Sequence, residues 1–355
     1  MYEKLFDLNI LHEAFLKSKK GVSWKTSIQK YELNELQNLK HLRDSLINNT
    51  YRQDPFFEFD IMERGKERHI KSLKVKDRVL QRALCDNILS PIVIKKIIYD
   101  NGASVKGKGI KFTRKRVQAH LEKFYRKNGK NGYILQMDFS KFFDNINHAK
   151  AVEMFERIID DDQVINLINY LMKTFGEKGV GIGAQISQLI GIYYPTVIDK
   201  YCKIVRGCKF YGRYMDDIYV IHKDKAFLIN LLNEIKDICS NFGILINKKK
   251  TQIKKLSQGF GFLKVRYFYG TNGKIIKRPF NDNFVRERRK LKKFKILLNE
   301  NKITKSEIVD QYKSWRGNLT KFNSYIKLKN CDKLYTELFG DKYVYKRRRK
   351  RNNGY

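Results

Sequence analysis

The sequence has no long hydrophobic run and little cysteine. No apolar run approaches the roughly 18 residues that a membrane-spanning helix needs, and no signal-peptide pattern is apparent at the first residues. Because zinc sites and disulfide frameworks use paired cysteines, cysteines without a Cys-x-x-Cys pair are expected to be reduced core residues. These absences predict a cytoplasmic protein without a membrane span. The five cysteines are Cys85, Cys202, Cys208, Cys239 and Cys331.

Acidic residues are scarce relative to basic ones. Asp and Glu number 37 against 74 Lys and Arg, which gives a formal net charge of +37. The 21 tyrosines and 23 phenylalanines are interleaved with this charge. A folded protein this basic repels itself unless a polyanion neutralises it, so nucleic acid is the predicted partner. With 355 residues, of which 42% are hydrophobic, the chain can form one large core or two to three subdomains.

Two adjacent aspartates stand within an apolar and aromatic stretch, residues 212–221. The stretch is too short for an amphipathic helix, so it predicts a β-hairpin with Asp216 and Asp217 at its turn. Neighbouring carboxylates in such a setting repel each other and lose hydration unless a cation neutralises them. The pair therefore predicts a divalent-metal site; taken alone, it would also fit a solvated turn.

A third candidate ligand ends another apolar segment. Residues 133–137 are typical of a strand, Asp138 follows them, and the chain then turns into a helix. Asp138, Asp216 and Asp217 could together clamp two Mg²⁺ ions roughly 3.5–4 Å apart, with Mn²⁺ as an alternative ion. That arrangement activates a 3′-hydroxyl and stabilises a pyrophosphate leaving group. The three carboxylates therefore predict a nucleotidyltransferase.

The stretch Tyr214-Met215-Asp216-Asp217 and the segment ending at Asp138 resemble motifs C and A of reverse transcriptases. The resemblance is to the prokaryotic branch that includes the enzymes of group II introns and diversity-generating retroelements. It implies an α+β right-hand polymerase fold with an antiparallel palm sheet. The implied parts are an N-terminal helical extension (1–50), fingers (51–132), a palm with motifs A to E (133–280), a helical thumb (281–340) and a disordered basic tail (341–355).

The resemblance also assigns residues to a nucleotide site in the fingers. Arg68 matches the arginine that holds the incoming triphosphate, and its partner is Lys66 or Arg64 because the turn between them is short. A planar guanidinium suits this place because it can contact phosphate oxygens bidentately. Taken singly, each cation would also fit a solvated surface.

Motif A continues with aromatic residues. Phe143 lies five residues past Asp138, where the family places an aromatic steric gate under the sugar, whereas Phe142 fits the core. The resemblance therefore implies deoxynucleotide substrates and a DNA product. Backbone amides at the strand-to-helix turn could point at the triphosphate as a helix N-terminus does. The residues of this turn are Phe139, Ser140 and Lys141.

Residues 182–188 depart from the common family pattern. Reverse transcriptases at large have Gln-Gly-x-x-x-Ser-Pro here, whereas this chain has Ile182-Gly183-Ala-Gln-Ile-Ser-Gln188. That variant resembles the enzymes of diversity-generating retroelements. In this reading Gly183 keeps the backbone clear of the nascent base pair, and Ile182 removes a hydrogen-bonding side chain beside the incoming nucleotide, which implies lower fidelity.

Membership of the diversity-generating class would imply a specific biology. The enzyme would copy a template-repeat RNA with errors directed to adenines, and the cDNA would replace a variable region of a target gene. Its partners would be the template RNA, the primer and cDNA, dNTPs, and a small basic accessory protein that forms a pentamer.

The remaining segments also fit the family. Lys250 in motif D is the best candidate for protonating the leaving group, although Lys248 and Lys249 stand beside it. Residues 259–264 resemble the primer-grip hairpin. Residues 284–340 are helical and basic, with a capping box from Thr304 to Glu307, and resemble a thumb that follows duplex phosphates.

Two alternatives remain open at this point. The chain could be another prokaryotic reverse transcriptase of the group II intron, retron or phage-defence type; the lack of an Asn-Ala-x-x-His motif disfavours retrons. It could also be a non-catalytic nucleic-acid-binding protein on a polymerase scaffold. The intact Asp138, Asp216 and Asp217 argue against this second alternative.

Overall fold

The computed structural model describes residues 1–63 and 65–340, without the side chains of Glu63 and Lys66. The chain divides into two compact units, each with its own hydrophobic core. The first comprises residues 1–120 and 132–253, and the second comprises residues 121–131 and the chain from residue 254 onward. The predicted basic tail over 341–355 lies outside the described residues, and the predicted five-part division stays a prediction.

The described chain combines α-helices with short, mostly antiparallel strands. The helices are α1 Leu8–Lys19, α2 Thr26–Leu33, α3 Glu35–Ile47, α4 Val75–Leu84, α5 Ser90–Val93, α6 Ile110–Asn128, α7 His148–Glu156, α8 Asp162–Lys173, α9 Gln185–Tyr193, α10 Thr196–Lys200, α11 Lys225–Asn241, α12 Asn281–Asn299, α13 Lys305–Leu319 and α14 Tyr325–Phe339. The strands are β1 Phe57–Glu63, β2 Lys66–Ser72, β3 Tyr133–Met137, β4 Phe210–Tyr214, β5 Asp217–His222, β6 Gln252–Lys255, β7 Phe260–Phe262, β8 Val265–Tyr269 and β9 Ile275–Pro279.

A four-stranded sheet with the strand order β4-β5-β3-β6 carries the predicted metal ligands. Strand β5 pairs with both β3 and β4 in antiparallel fashion. Most residues of β3 and β5 are buried, as expected for short apolar runs that pack on both faces. Helix α11 packs against both strands. In this sheet the acids stand where strands end or begin, with Asp138 directly after β3 and Asp217 as the first residue of β5.

The predicted strand pattern after residue 51 forms a separate two-stranded hairpin in the first unit. Strands β1 and β2 pair in register from Phe57 with Ser72 to Glu63 with Lys66. Gly65 at the turn has φ of +76°, a conformation that residues with a side chain rarely adopt. Arg68 lies on β2 opposite Ile61 and is exposed. The side chains of Arg64 and Lys66, its two candidate partners, lie outside the described residues.

The second unit contains a three-stranded sheet, β7-β8-β9, and a bundle of helices α12, α13 and α14. Strands β7 and β8 form the antiparallel hairpin that residues 259–264 predict. The capping box is confirmed, since the amide of Glu307 donates to Thr304 Oγ1 at 3.3 Å and the amide of Thr304 donates to Glu307 Oε2 at 2.9 Å. These paired contacts satisfy free amides at the start of α13.

The predictions about membrane spans and cysteines can be compared with the described residues. None of the described helices combines the length and the apolar character that a membrane crossing requires. The five cysteines are all buried free thiols, in agreement with their prediction as core residues. Burial raises the pKa of several of these thiols, that of Cys239 to about 12.

Candidate active site

The hairpin predicted from residues 212–221 is present, and it presents two carboxylates at its turn. Tyr214, the last residue of β4, pairs with Asp217, the first residue of β5, so Met215 and Asp216 form the connection. Met215 has φ of +54°, in the left-handed region that is rare for a residue with a side chain. Asp216 and Asp217 are both half-buried. The turn therefore needs support from the surrounding structure.

A buried arginine in β4 provides that support. The Arg213 side chain donates to Asp199 Oδ2 at 2.6 Å, and both side chains are completely buried. Its Nη1 donates to the backbone carbonyl of Met215 at 3.1 Å, and its Nη2 donates to that of Ile192 at 2.7 Å. The Tyr211 hydroxyl donates to Asp199 Oδ1 at 2.6 Å. One guanidinium thus ties the turn to helices α9 and α10.

Asp138 lies beside this turn because of the strand register. Met137 pairs with Ile218 in the antiparallel ladder, so the next residue along β3, Asp138, comes opposite Asp217. Asp138 is buried, with 6% of its surface exposed. The strand end and the hairpin turn, which are distant in sequence, therefore meet at one edge of the sheet, as the metal-site prediction requires.

Both carboxylate oxygens of Asp138 have partners from motif D. Asn247 Nδ2 donates to Oδ1 at 3.0 Å, and Lys250 Nζ donates to Oδ2 at 2.7 Å. The backbone amide of Asn247 also donates to the Asp138 carbonyl at 2.8 Å. The structure thus selects Lys250 from the three consecutive lysines as the one that reaches the acids. Asn247 was not predicted; its place beside the lysine run was the only signal.

The three carboxylates perturb one another electrostatically. Burial, followed by the charges of Asp216 and Asp138, raises the pKa of Asp217 to about 7. Burial also raises the pKa of Asp216, with Asp138 adding to the effect. The hydrogen bond to Asp138 raises the pKa of Lys250. The acids therefore form one cluster that carries more negative charge than the single nearby ammonium neutralises.

The donor chemistry of this cluster fits a hard divalent cation. Carboxylate oxygens are the ligands that Mg²⁺ prefers, and Asp138, Asp216 and Asp217 would hold it. Across residues 1–63 and 65–340, however, no three His, Cys, Asp or Glu side chains form a ready chelating group. Asn247 and Lys250 engage the two carboxylate oxygens of Asp138. The three carboxylates are ligands of the type that Mg²⁺ binds, and the Lys250 ammonium supplies a positive charge beside Asp138.

The turn after Asp138 differs from the predicted phosphate site in the state of one backbone amide. The Ser140 amide already donates to the Leu245 carbonyl at 2.7 Å, so this amide does not support the predicted phosphate contact. Phe139 is buried and forms an isolated antiparallel β-bridge with Ile246. Lys141 is exposed with φ of +45°. The Ser140 amide is thus already engaged, and the phosphate contacts of Phe139 and Lys141 stay predictions.

The aromatic and motif B residues lie around helix α9. Phe143 is half-buried beside α9, whereas Phe142 is buried in the core as predicted. Ile182 is exposed just before α9, and Gly183 has φ of +110°, which requires glycine. The structure thus groups Asp138, Asp216, Asp217 and Lys250, while Arg68 remains on the separate β1–β2 hairpin.

A family described as reverse transcriptase (RNA-dependent DNA polymerase) matches residues 55–267, more than half of the chain. The chain belongs to the reverse transcriptase family. The match includes both strand ends that carry the acids, motif B and motif D. The predicted enzyme class, RNA-directed DNA polymerase, is thereby confirmed at the level of the family. No curated protein sequence matches this reverse transcriptase.

Two telomerases are among the solved structures that this chain matches. Telomerase from Candida albicans, in complex with a TWJ fragment of telomeric RNA, is 13% identical with a TM-score of 0.51, over 82% of this chain and 60% of that one. Apo telomerase from Candida tropicalis, truncated from its C-terminal domain, is 16% identical with a TM-score of 0.49, over 64% of this chain and 56% of that one. The chain thus spans less than two thirds of either telomerase.

The likeness to the Candida albicans structure concerns the fold alone. Together with the family match, it confirms the predicted right-hand polymerase fold with helices and antiparallel sheets. The assignments to a prokaryotic branch and to the diversity-generating class stay predictions, as do the roles of the individual site residues.

We expect Asp217→Asn to stabilise the metal-free protein. The folded-state pKa of Asp217 is raised to about 7 from 3.8, so ionising it costs stability as the pH rises through this window. Asparagine does not ionise, so the variant should melt about 2–4 °C higher than the wild type at pH 8 and show little difference near pH 4. Thermal melts in EDTA at both pH values measure this.

The exposed Asp237→Asn is the matched control, because it removes one negative charge from helix α11 away from the cluster. If Asp217→Asn melted below the wild type at pH 8 in EDTA, the acids would not be in electrostatic conflict.

We expect the Arg213–Asp199 pair to affect stability and turn geometry separately. Arg213→Met leaves Asp199 buried without its partner and should cost about 3–5 kcal/mol of unfolding free energy. The double variant Arg213→Met/Asp199→Leu removes both charges and should recover most of that loss. In the double variant, the backbone amide hydrogens of residues 215–217 should still exchange faster than in the wild type, because the hydrogen bond to the Met215 carbonyl is gone. Denaturant titration and hydrogen exchange measure the two effects; unchanged exchange in the double variant would refute the support of the turn by Arg213.

Proposed function

We propose that the protein is an RNA-directed DNA polymerase that extends a primer with deoxynucleotides on an RNA template. The observation that carries the proposal is the β3–β5 register, which brings Asp138 opposite Asp217 at the hairpin turn. A chain of the reverse transcriptase family with this arrangement retains all three acids at one edge of its sheet. The large positive charge suits a nucleic-acid partner.

Each residue of the cluster takes a role that its contacts support. Asp138, Asp216 and Asp217 would hold Mg²⁺, which when bound supplies activation of the primer 3′-hydroxyl and neutralisation of the phosphates. Lys250 lies within 2.7 Å of Asp138 and is the ammonium that can donate a proton to the leaving group. Asn247 orients Asp138 from the other oxygen. Arg68 would hold the triphosphate from the β1–β2 hairpin.

We further propose that the enzyme belongs to a diversity-generating retroelement. The support is the sequence Ile182 to Gln188 and the exposure of Ile182 ahead of α9, where an aliphatic side chain stands in place of an amide. In this proposal a template-repeat RNA is copied with errors at adenines, and a small basic pentameric protein is an accessory partner. The alternative is another prokaryotic reverse transcriptase with ordinary fidelity.

Primer extension on a defined RNA tests the polymerase. We expect wild-type protein with Mg²⁺ and dNTPs to extend the primer, and Asp216→Asn to lose about 10³-fold or more of the rate, because one carboxylate of the cluster is removed. Asp237→Asn should extend like the wild type. Equal extension by wild type and Asp216→Asn would refute the enzymatic proposal.

Sequencing of the cDNA tests the finer class. We expect substitutions concentrated opposite template adenines, and we expect Ile182→Gln to reduce them about tenfold, since one restored hydrogen bond contributes roughly 1.4 kcal/mol. Ile182→Leu keeps the aliphatic character and should leave the error pattern unchanged. Faithful copies by the wild type would favour the alternative, another prokaryotic reverse transcriptase.

A further inference from the structure

Gly191 in helix α9 leaves room for an aromatic ring. A Cβ atom added at this position would lie 2.9 Å from Cε1 and 3.0 Å from Cζ of Phe143, and 3.6 Å from Sδ of Met215. Carbon atoms in contact are normally about 3.5–4.0 Å apart, so the ring occupies the space of a side chain at 191. Glycine inside a helix costs about 0.5–1 kcal/mol relative to alanine. Gly191 has ordinary helical φ, so packing rather than backbone conformation accounts for it.

The Phe143 ring is positioned from several sides. Its edge contacts α9 at Gly191, and it meets the Phe142 ring edge to face with centroids 5.3 Å apart. Its backbone carbonyl accepts a hydrogen bond from the Val180 amide at 2.8 Å. Met215, which also faces Gly191, belongs to the turn that carries Asp216. The depth of this ring beside the catalytic turn is therefore set by the missing side chain at 191.

We propose that Gly191 is a specificity-determining positioning residue that controls the choice between deoxyribonucleotides and ribonucleotides. The inference rests on the proposed polymerase function and on the steric-gate position under the nucleotide sugar that the family resemblance implies for Phe143. With no side chain at 191, the ring packs closely onto α9 and leaves room for a sugar without a 2′-hydroxyl. A methyl group at 191 moves the ring away from α9 and narrows that room.

The direction of the effect follows from what can move. Residues 189–193 of α9 are all buried, so this part of the helix has little room to move. Phe143 is only half-buried and can shift toward its open side. Gly191→Ala should therefore raise the KM for dNTPs and lower kcat/KM about tenfold, because misplacing a group beside the reacting atoms is costly. The kcat should change less, since the acids stay in place.

A double-variant cycle with Phe143→Leu separates this role from simple packing. Leucine vacates part of the space that the ring fills, so Phe143→Leu should admit ribonucleotides. Adding Gly191→Ala in that background should cost less than about twofold in dNTP use, against about tenfold in the Phe143 background. The double variant should also recover several-fold discrimination against ribonucleotides, because the added methyl group pushes the leucine side chain toward the sugar.

The measurement is kcat/KM for single dNTP and rNTP additions to a primer on RNA, with a thermal melt of every variant. Gly317→Ala is the control for replacing a helical glycine, because nothing lies within 4 Å of the added Cβ in α13. It should leave the dNTP to rNTP ratio unchanged. If Gly191→Ala alone does not fold, the comparison of Phe143→Leu with the double variant carries the test, because that pair keeps the total volume closer to native.

The outcomes distinguish this inference from the polymerase proposal. Extension by the wild type together with non-additive effects of the two substitutions supports the inference. Extension by the wild type with additive effects, or with equal ribonucleotide use by Phe143→Leu and the double variant, overturns the inference alone. Failure of the wild type to extend any primer overturns both.

Discussion

The structure depends on holding three like charges together at one edge of a buried sheet. The β3–β5 ladder is responsible, because its register leaves Asp138 opposite Asp217 once the apolar residues have paired. Backbone hydrogen bonds along the ladder and the packing of apolar side chains supply the energy that mutual repulsion opposes. The cluster is therefore an electrostatic conflict that the fold tolerates, which is typical of sites that bind cations.

Two sets of contacts stabilise the cluster of acids. Arg213 supports the hairpin turn by donating a hydrogen bond to the Met215 carbonyl, and Asp199 balances the charge of Arg213. Lys250 and Asn247 hold Asp138 from the motif D side. The Arg213 and Asp199 side chains are completely buried, whereas the Lys250 side chain is half exposed.

The family match and the geometry answer different questions. The match places the chain among reverse transcriptases, and the likeness to telomerase concerns only the fold. The finer class rests on a few residues around α9, where Ile182 is exposed and Phe143 packs against Gly191. In the proposed function, small changes in side-chain size at these positions would alter which nucleotide fits.

The amino-acid sequence by itself determined the elements and the acids. Apolar runs that end in aspartate predicted β3 and the β4–β5 hairpin, and Thr304 with Glu307 predicted the start of α13, because these signals are local in the chain. Only the tertiary structure decided which partners the acids have. Asn247 and Gly191 act through contacts with segments far apart in sequence, and the Ser140 amide is engaged by Leu245. Arg213 joins Asp199 to the turn in one buried network. Periodicity and motif spacing describe neighbours along the chain, whereas register and packing decide neighbours in space.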